Sequence, residues 1–167
     1  MTQLEEIRRD IYSSEVGGER KRIRRAGALF REVLLFAEDF PPDCLSLILE
    51  IISNKEVFHK SGVDFFFGEM MTDVLRLSDE QKVILLESLR QNYSWYDDLD
   101  ICWMVGDLVA RNYPVQSALA FFEDVAKTAA PQGREGIALG LDVIYKNNRN
   151  NNLVVNKAKS ILKAMSA

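Results

Sequence analysis

The chain has 167 residues, enough for one domain of ordinary size with a sizeable core. Hydrophobic residues make up 47% and charged residues 28%, with only nine Gly and four Pro, which excludes a disordered segment, and no apolar run approaches the roughly 18 residues that span a membrane. The net charge of −4 is unevenly spread: residues 1–31 carry eight Lys/Arg against five Asp/Glu (+3), residues 32–130 seven against eighteen (−11), and residues 131–167 six against two (+4).

Almost every segment repeats its apolar residues at i, i+3, i+4 and i+7, the spacing of an amphipathic helix, and none alternates like a strand. The first helix is expected over Gln3 to Ser13, ended by Gly17-Gly18. A longer one runs from about Glu19 to Glu38, with Ile23, Ala26, Leu29, Phe30, Val33 and Leu34 as its apolar stripe. Pro41-Pro42 then restarts the chain, since a first helical turn tolerates proline, and the new helix continues to Ser53. A short amphipathic bridge, Lys55 to Lys60, leads to a helix from Val63 to Leu75. Ser78-Asp79-Glu80-Gln81 has the form of a capping box and opens a helix to about Gln91. Later helices are expected from about Asp97 to Arg111, from Pro114 to Thr128, from about Gln132 to Tyr145, and from Leu153 to Met165.

Folded at these breaks, the helices pair: roughly 19–38 with 41–53, 63–76 with 78–92, 97–111 with 114–128, and 132–146 with 151–166. One glycine sits inside the first helix of each pair, at Gly27, Gly68, Gly106 and Gly140, separated by 41, 38 and 34 residues. Glycine in a helix interior costs about 1 kcal/mol relative to alanine, so its recurrence points to close approach of a neighbouring helix. The segments W-M-V-G-D-L-V-A-R-N-Y-P-V-Q-S-A-L and I-A-L-G-L-D-V-I-Y-K-N-N resemble HEAT-type repeats, although the regular proline and arginine positions of that family are missing. The resemblance implies a single all-α domain over residues 1–167: a right-handed α-solenoid of about four antiparallel helix pairs, with eight to nine helices and repeats at about 19–53, 61–92, 97–128 and 132–166.

The catalytic inventory is thin. His59 is the only histidine, so a zinc site, a Ser-His-Asp set or a Cys-His set would each depend on it. Glu56-Val57-Phe58-His59 has the E-x-x-H form of a di-iron bundle, but that centre needs a second copy. No P-loop, dinucleotide fingerprint or nucleophile elbow occurs. The expectation is a protein that is not an enzyme and holds no metal or cofactor. Cys44 and Cys102 each sit in an apolar helical pattern and read as buried free thiols rather than a disulfide. With an N-terminus that lacks a signal-peptide apolar core, they suggest a cytoplasmic protein, a monomer or weak dimer. The basic run Glu19 to Arg25 reads as the solvated face of a terminal repeat. An acidic middle would repel phosphates, so nucleic acid is not expected as a partner, and with no apolar run of membrane-spanning length neither is a membrane. That acidity suits a basic protein partner, or else simply a solvated face.

The segment N-Y-S-W-Y-D-D-L-D-I-C-W, residues 92–103, mixes aromatics and carboxylates most densely. If a helix begins near Asp97, then Leu99, Cys102, Trp103, Gly106 and Val109 form an inward stripe, and Asp97, with Asp98 close behind, can cap the N-terminus. Trp95 and Tyr96 fall in the connection, where an aromatic either plugs an inter-repeat gap or stands exposed as an anchor. The anchor reading requires them to be solvent-accessible.

The runs L-S-D-E-Q-K-V-I-L-L-E-S-L-R-Q-N and I-C-W-M-V-G-D-L-V-A-R-N-Y-P are similar in texture to immunity proteins of bacterial polymorphic toxin and contact-dependent inhibition systems. That resemblance implies a stoichiometric inhibitor of a cognate protein toxin, often a basic nuclease, whose active or substrate site it covers. The contacts expected are Glu87, Trp95, Tyr96, Asp97, Asp98, Asp100, Glu123 and Asp124. The alternative is a helical-repeat adaptor for some other protein.

Overall fold

The computed structural model describes residues 1–166, and among these ten α-helices and two short 3-10 turns form, with no strand. None of these helices is long and apolar enough to cross a membrane. The count exceeds the eight to nine expected because Lys55–Phe58 (α4), within the expected amphipathic bridge, is a helical turn of its own. The Asn54 side chain accepts the Val57 N–H at 3.2 Å, and Val57 and Phe58 are buried. The chain divides into two compact units, residues 1–88 and residues 89 onward.

In the first unit, α1 (Gln3–Tyr12) opens on a capping box that the sequence reading overlooked. The Glu5 N–H donates to Thr2 Oγ1 at 3.1 Å and the Thr2 N–H to the Glu5 carboxylate at 2.8 Å. It packs Ile7 and Ile11 toward α2 (Glu19–Leu35), and buried Asp10 takes a two-point bond from Arg25, 2.9 Å from Nε and 2.6 Å from Nη2. That carboxylate raises the Arg25 pKa above its ordinary value, first by the hydrogen bond and then by charge. The stripe of α2 is Ile23, Ala26, Gly27, Phe30 and Leu34, and the helix ends three residues short of Glu38. A tertiary cap holds this end: Arg76 donates to Leu34 O at 2.7 Å, which also accepts the Ala37 N–H at 3.3 Å, and to Ala37 O at 2.5 Å.

The next helix, α3 (Pro42–Ile52), buries Cys44, Leu45, Leu47, Ile48, Ile51 and Ile52. After it α5 (Val63–Met71) lies along α2 in the same direction. Ascending partners prove the direction: Glu19 accepts the Ser61 N–H (2.8 Å), Arg24 stacks on Phe65 (4.7 Å), and Arg31 meets Asp73 (3.3 Å). Edge-on pairs Phe30–Phe66 (6.1 Å) and Phe58–Phe67 (5.9 Å) fill the core between. Gly62 precedes α5 at φ +89°, a left-handed conformation, and a Cβ there would lie 3.1 Å from Arg20 O. The expected helix to Leu75 stops at Met71, and Val74–Arg76 becomes a 3-10 turn because Asp73 and Arg76 are held against the end of α2. The Ser78–Gln81 capping box forms as expected (2.9 and 3.1 Å) and opens α6 (Asp79–Asn92).

The second unit holds the end of α6, the 3-10 turn Tyr93–Trp95, and α7 (Leu99–Asn112), α8 (Val115–Val125), α9 (Pro131–Asn147) and α10 (Asn152–Met165). Here the glycines act as the sequence suggested. The most extensive packing joins α7 to α9, with Cys102 against Gly136 and Gly106 against Gly140, each pair 34 residues apart, so the two helices run in the same direction. A Cβ on Gly106 would strike Gly136 O, and one on Gly136 would meet the Cys102 carbonyl carbon at 2.6 Å. One on Gly140 would meet Gly106 O at 2.8 Å and overlap the Phe122 ring. Backbone therefore faces backbone, a separation that only glycine permits. In the first unit Gly27 faces side chains and not backbone, a Cβ there lying 3.2 Å from the Phe65 ring and 3.4 Å from Glu69 Cγ, and Gly68 is half-buried. Glu123 of α8 pairs with Lys157 of α10, again 34 residues on.

Cys44 and Cys102 are free and buried, as expected. Burial raises the Cys44 thiol to about 11 and the Cys102 thiol to about 12, with nearby aspartates adding to both. At pH 8 the folded protein is therefore expected to leave both thiols unmodified by a chromogenic disulfide reagent over the minutes in which the same protein in 6 M guanidinium reacts completely. Stoichiometric native reaction would contradict the burial.

Candidate functional site

The segment 92–103 folds differently from the expected junction. Asp98, not Asp97, is the N-cap of α7: its backbone is extended, its carboxylate accepts the Ile101 N–H at 3.0 Å, and the helix begins at Leu99. Tyr96 is 0% exposed, which rules it out as an exposed anchor. The physical reason is an aromatic cluster under the turn: Tyr96 packs edge-on against Tyr93 (5.7 Å) and Trp95 (4.7 Å), and Tyr93 against Phe121 (5.9 Å). The Tyr93 hydroxyl donates to Gly133 O at 2.7 Å, and the Cys102 thiol to Tyr96 O at 3.5 Å. Burial pushes both phenols well above their ordinary range. Trp95 is half-buried, its indole N–H donating to Asn92 Oδ1 at 3.2 Å. In this connection Tyr96 is therefore buried and Trp95 half-buried, and neither stands out as a fully exposed ring.

The exposed tryptophan is the other one. Trp103, expected in the core, is 41% exposed, and its indole N–H has no hydrogen-bond partner among the described residues. Gly106 explains the reversal. It turns one side of α7 flat against α9, and Trp103 lies about 60° round the helix from it, away from buried Ile101, Val105 and Leu108. Leu99, one turn earlier, is likewise exposed instead of inward, whereas Cys102, Gly106 and Val109 are buried as expected.

Register across the glycine contact sets Trp103 level with Glu135 to Leu139 of α9. The inner side of α9 buries Ile137, Leu141 and Ile144, so Glu135 and Leu139 (37% exposed) are on the open side of the same layer. Asp100 and Glu135 have no ion-pair partner among the described residues; Asp107 is held by Arg111 at 2.6 Å. The resulting surface carries Trp103 with Leu99 and Leu139 beside it, edged by Asp97, Asp98, Asp100, Asp107 and Glu135. An amphipathic ring with a free donor, ringed by carboxylates, is suited to bind a basic protein surface.

The remaining expected contacts are elsewhere. Glu123 is tied to Lys157, and Asp124 to Arg90 (3.0 Å) and Lys127 (4.0 Å). Glu123 borders a cleft of about 310 Å³ with Lys127 and Arg134, so its neighbourhood is mixed in charge rather than acidic. Glu87 is exposed on α6 in the first unit. No group of three or more His, Cys, Asp or Glu is placed to hold a metal ion among the described residues. Leu139 and Glu135 were missed in the sequence; the spacing of Gly136 and Gly140, had it been read as a contact register, would have put them beside Trp103. No protein-family model matches the chain, and no solved structure matches it significantly.

Proposed function

We propose that the chain is a non-catalytic, cytoplasmic protein-binding module, a degenerate helical-repeat solenoid acting as an immunity protein that neutralises a cognate basic toxin domain. The same-direction packing of α7 on α9 at a 34-residue offset, with α2 on α5 in the other unit, supports the repeat reading; the right-handed, four-pair arrangement is part of the proposal. The observation that carries the function is exposed Trp103 among carboxylates on the open side of the α7–α9 layer. Trp103 is the anchor, desolvated on binding, and Asp97, Asp100 and Glu135 speed encounter and match a basic patch.

The test is coexpression with a toxin domain encoded beside this chain. Wild-type protein should co-purify with the toxin and restore growth. Trp103→Ala should weaken binding about 30-fold, in the range of an interface hot spot. Asp100→Lys should weaken it about tenfold and flatten its dependence on salt. Loss of both co-purification and rescue by the wild type sinks the immunity reading. Rescue that both variants leave intact sinks this surface but not the role. Co-purification of a partner that is not a toxin favours the adaptor alternative.

A further inference from the structure

The first unit carries a second, unrelated surface. Phe36 and Leu35, at the end of α2, are 81% and 68% exposed, and Leu75 in the adjoining 3-10 turn is 73% exposed. Arg76 brings these segments together, its guanidinium on Leu34 O and Ala37 O (2.7 and 2.5 Å) and on Glu38 O at 3.3 Å. Single exposed apolar residues need no explanation, but three large ones at one helix end form a patch. Its charged surroundings are one-sided. Glu32, Glu38, Asp39 and Asp43 are exposed with no ion-pair partner among the described residues. The two nearby cations are already engaged, Arg31 with Asp73 at 3.3 Å and Arg76 with Asp73 and the α2 carbonyls.

We propose that Leu35, Phe36 and Leu75, rimmed by Glu32, Glu38, Asp39 and Asp43, form a docking surface for an amphipathic basic segment of a protein partner. Leucine or phenylalanine of that segment covers the apolar centre, and its Lys or Arg meet the carboxylates. Charge selects this occupant. An acidic segment would be repelled, an anionic membrane likewise, and a second copy would bring its own unpaired carboxylates against these. The surface goes beyond the reading given to Trp103 and shares no residue with it.

The test uses the full chain and a fluorescein-labelled 16-residue helix-forming peptide of Leu and Lys with one apolar face, followed by fluorescence anisotropy. A matched peptide with Glu for Lys, and sedimentation of the protein alone, complete the set. The expected result is saturable binding of the basic peptide, weakened at least tenfold by Phe36→Ser with Leu75→Ser and at least tenfold by Glu38→Lys with Asp39→Lys. The acidic peptide should not bind. Unaltered circular dichroism keeps the comparison valid, and single Phe36→Ser, at a site 81% exposed, serves if the double variant fails to fold. Equal binding by both serine variants and wild type overturns the proposal, as does equal binding of the acidic peptide. A concentration-dependent dimer abolished by Phe36→Ser also overturns it, assigning the patch to a second copy.

Discussion

Gly136→Ala is expected to lower stability by at least about 3 kcal/mol and the melting midpoint by about 10 °C. Alanine favours an isolated helix by about 1 kcal/mol, so the sign rests wholly on packing. The new methyl would overlap Cys102 O, lie 2.6 Å from that carbonyl's carbon, and lie 2.6 Å from the Tyr93 hydroxyl. Neither main-chain atom can rotate away as a side chain would, so α7 and α9 must part, and the Tyr93 bond to Gly133 O (2.7 Å) is lost with them. Gly106→Ala meets backbone in the same way and should behave alike. Gly17→Ala is the control: nothing lies within 4 Å of its Cβ position, and the change should stay within about 0.5 kcal/mol. Thermal melts of the three variants check this; Gly136→Ala melting with the wild type would show that the backbones do not approach so closely.

Alkaline unfolding is the second large effect. In the unfolded chain cysteine ionises near pH 8.5 and tyrosine near 10. In the fold, burial raises Cys44 to about 11 and Cys102 to about 12, and holds Tyr93, Tyr96 and Tyr113 well above their ordinary value. Above pH 8.5 the unfolded state thus binds fewer protons than the folded state, and stability falls as pH rises. Below that pH the contribution of these groups is fully present. Each group ionised only in the unfolded state costs about 1.4 kcal/mol per pH unit, so two thiols and three phenols remove on the order of 10 kcal/mol by pH 11, comparable with the whole stability of a typical domain. The expected result is a cooperative loss of far-ultraviolet dichroism near about pH 11, coincident with a step in tyrosinate absorbance at about 295 nm. A helical signal that survives while every tyrosine titrates would contradict the burial of this cluster.

Helix identity and order were legible in the residues because each helix carries its own apolar period and its own stop signals. The Ser78–Gln81 box, the prolines at 42 and 131, and the polar breaks were all informative without tertiary context. So was the meaning of Gly106 and Gly140, since a residue costly to a helix alone implies a close neighbour. The early ends of α2 and α5 were not legible. They depend on Arg76 and Asp73 reaching a helix about 40 residues away in sequence.

The candidate site divides the same way. That residues 92–103 combine aromatic rings and carboxylates is a property of the sequence; in the structure Asp97 and Asp100 are exposed and Asp98 is half-buried as the cap of α7. Which ring faces solvent is not such a property. Tyr96 lies in a connection with no helical period to phase it, and the cluster with Tyr93 and Phe121 draws it in. The phase of Trp103 is set by the side from which α9 approaches α7, and a periodic stripe alone leaves that rotation undetermined by some 60°. Local chemistry therefore determined the helices, their caps and the need for close backbone contact. Only the packing of one helix on another decided which aromatic is core and which is left exposed, because burial is a property of neighbours that the sequence places far apart.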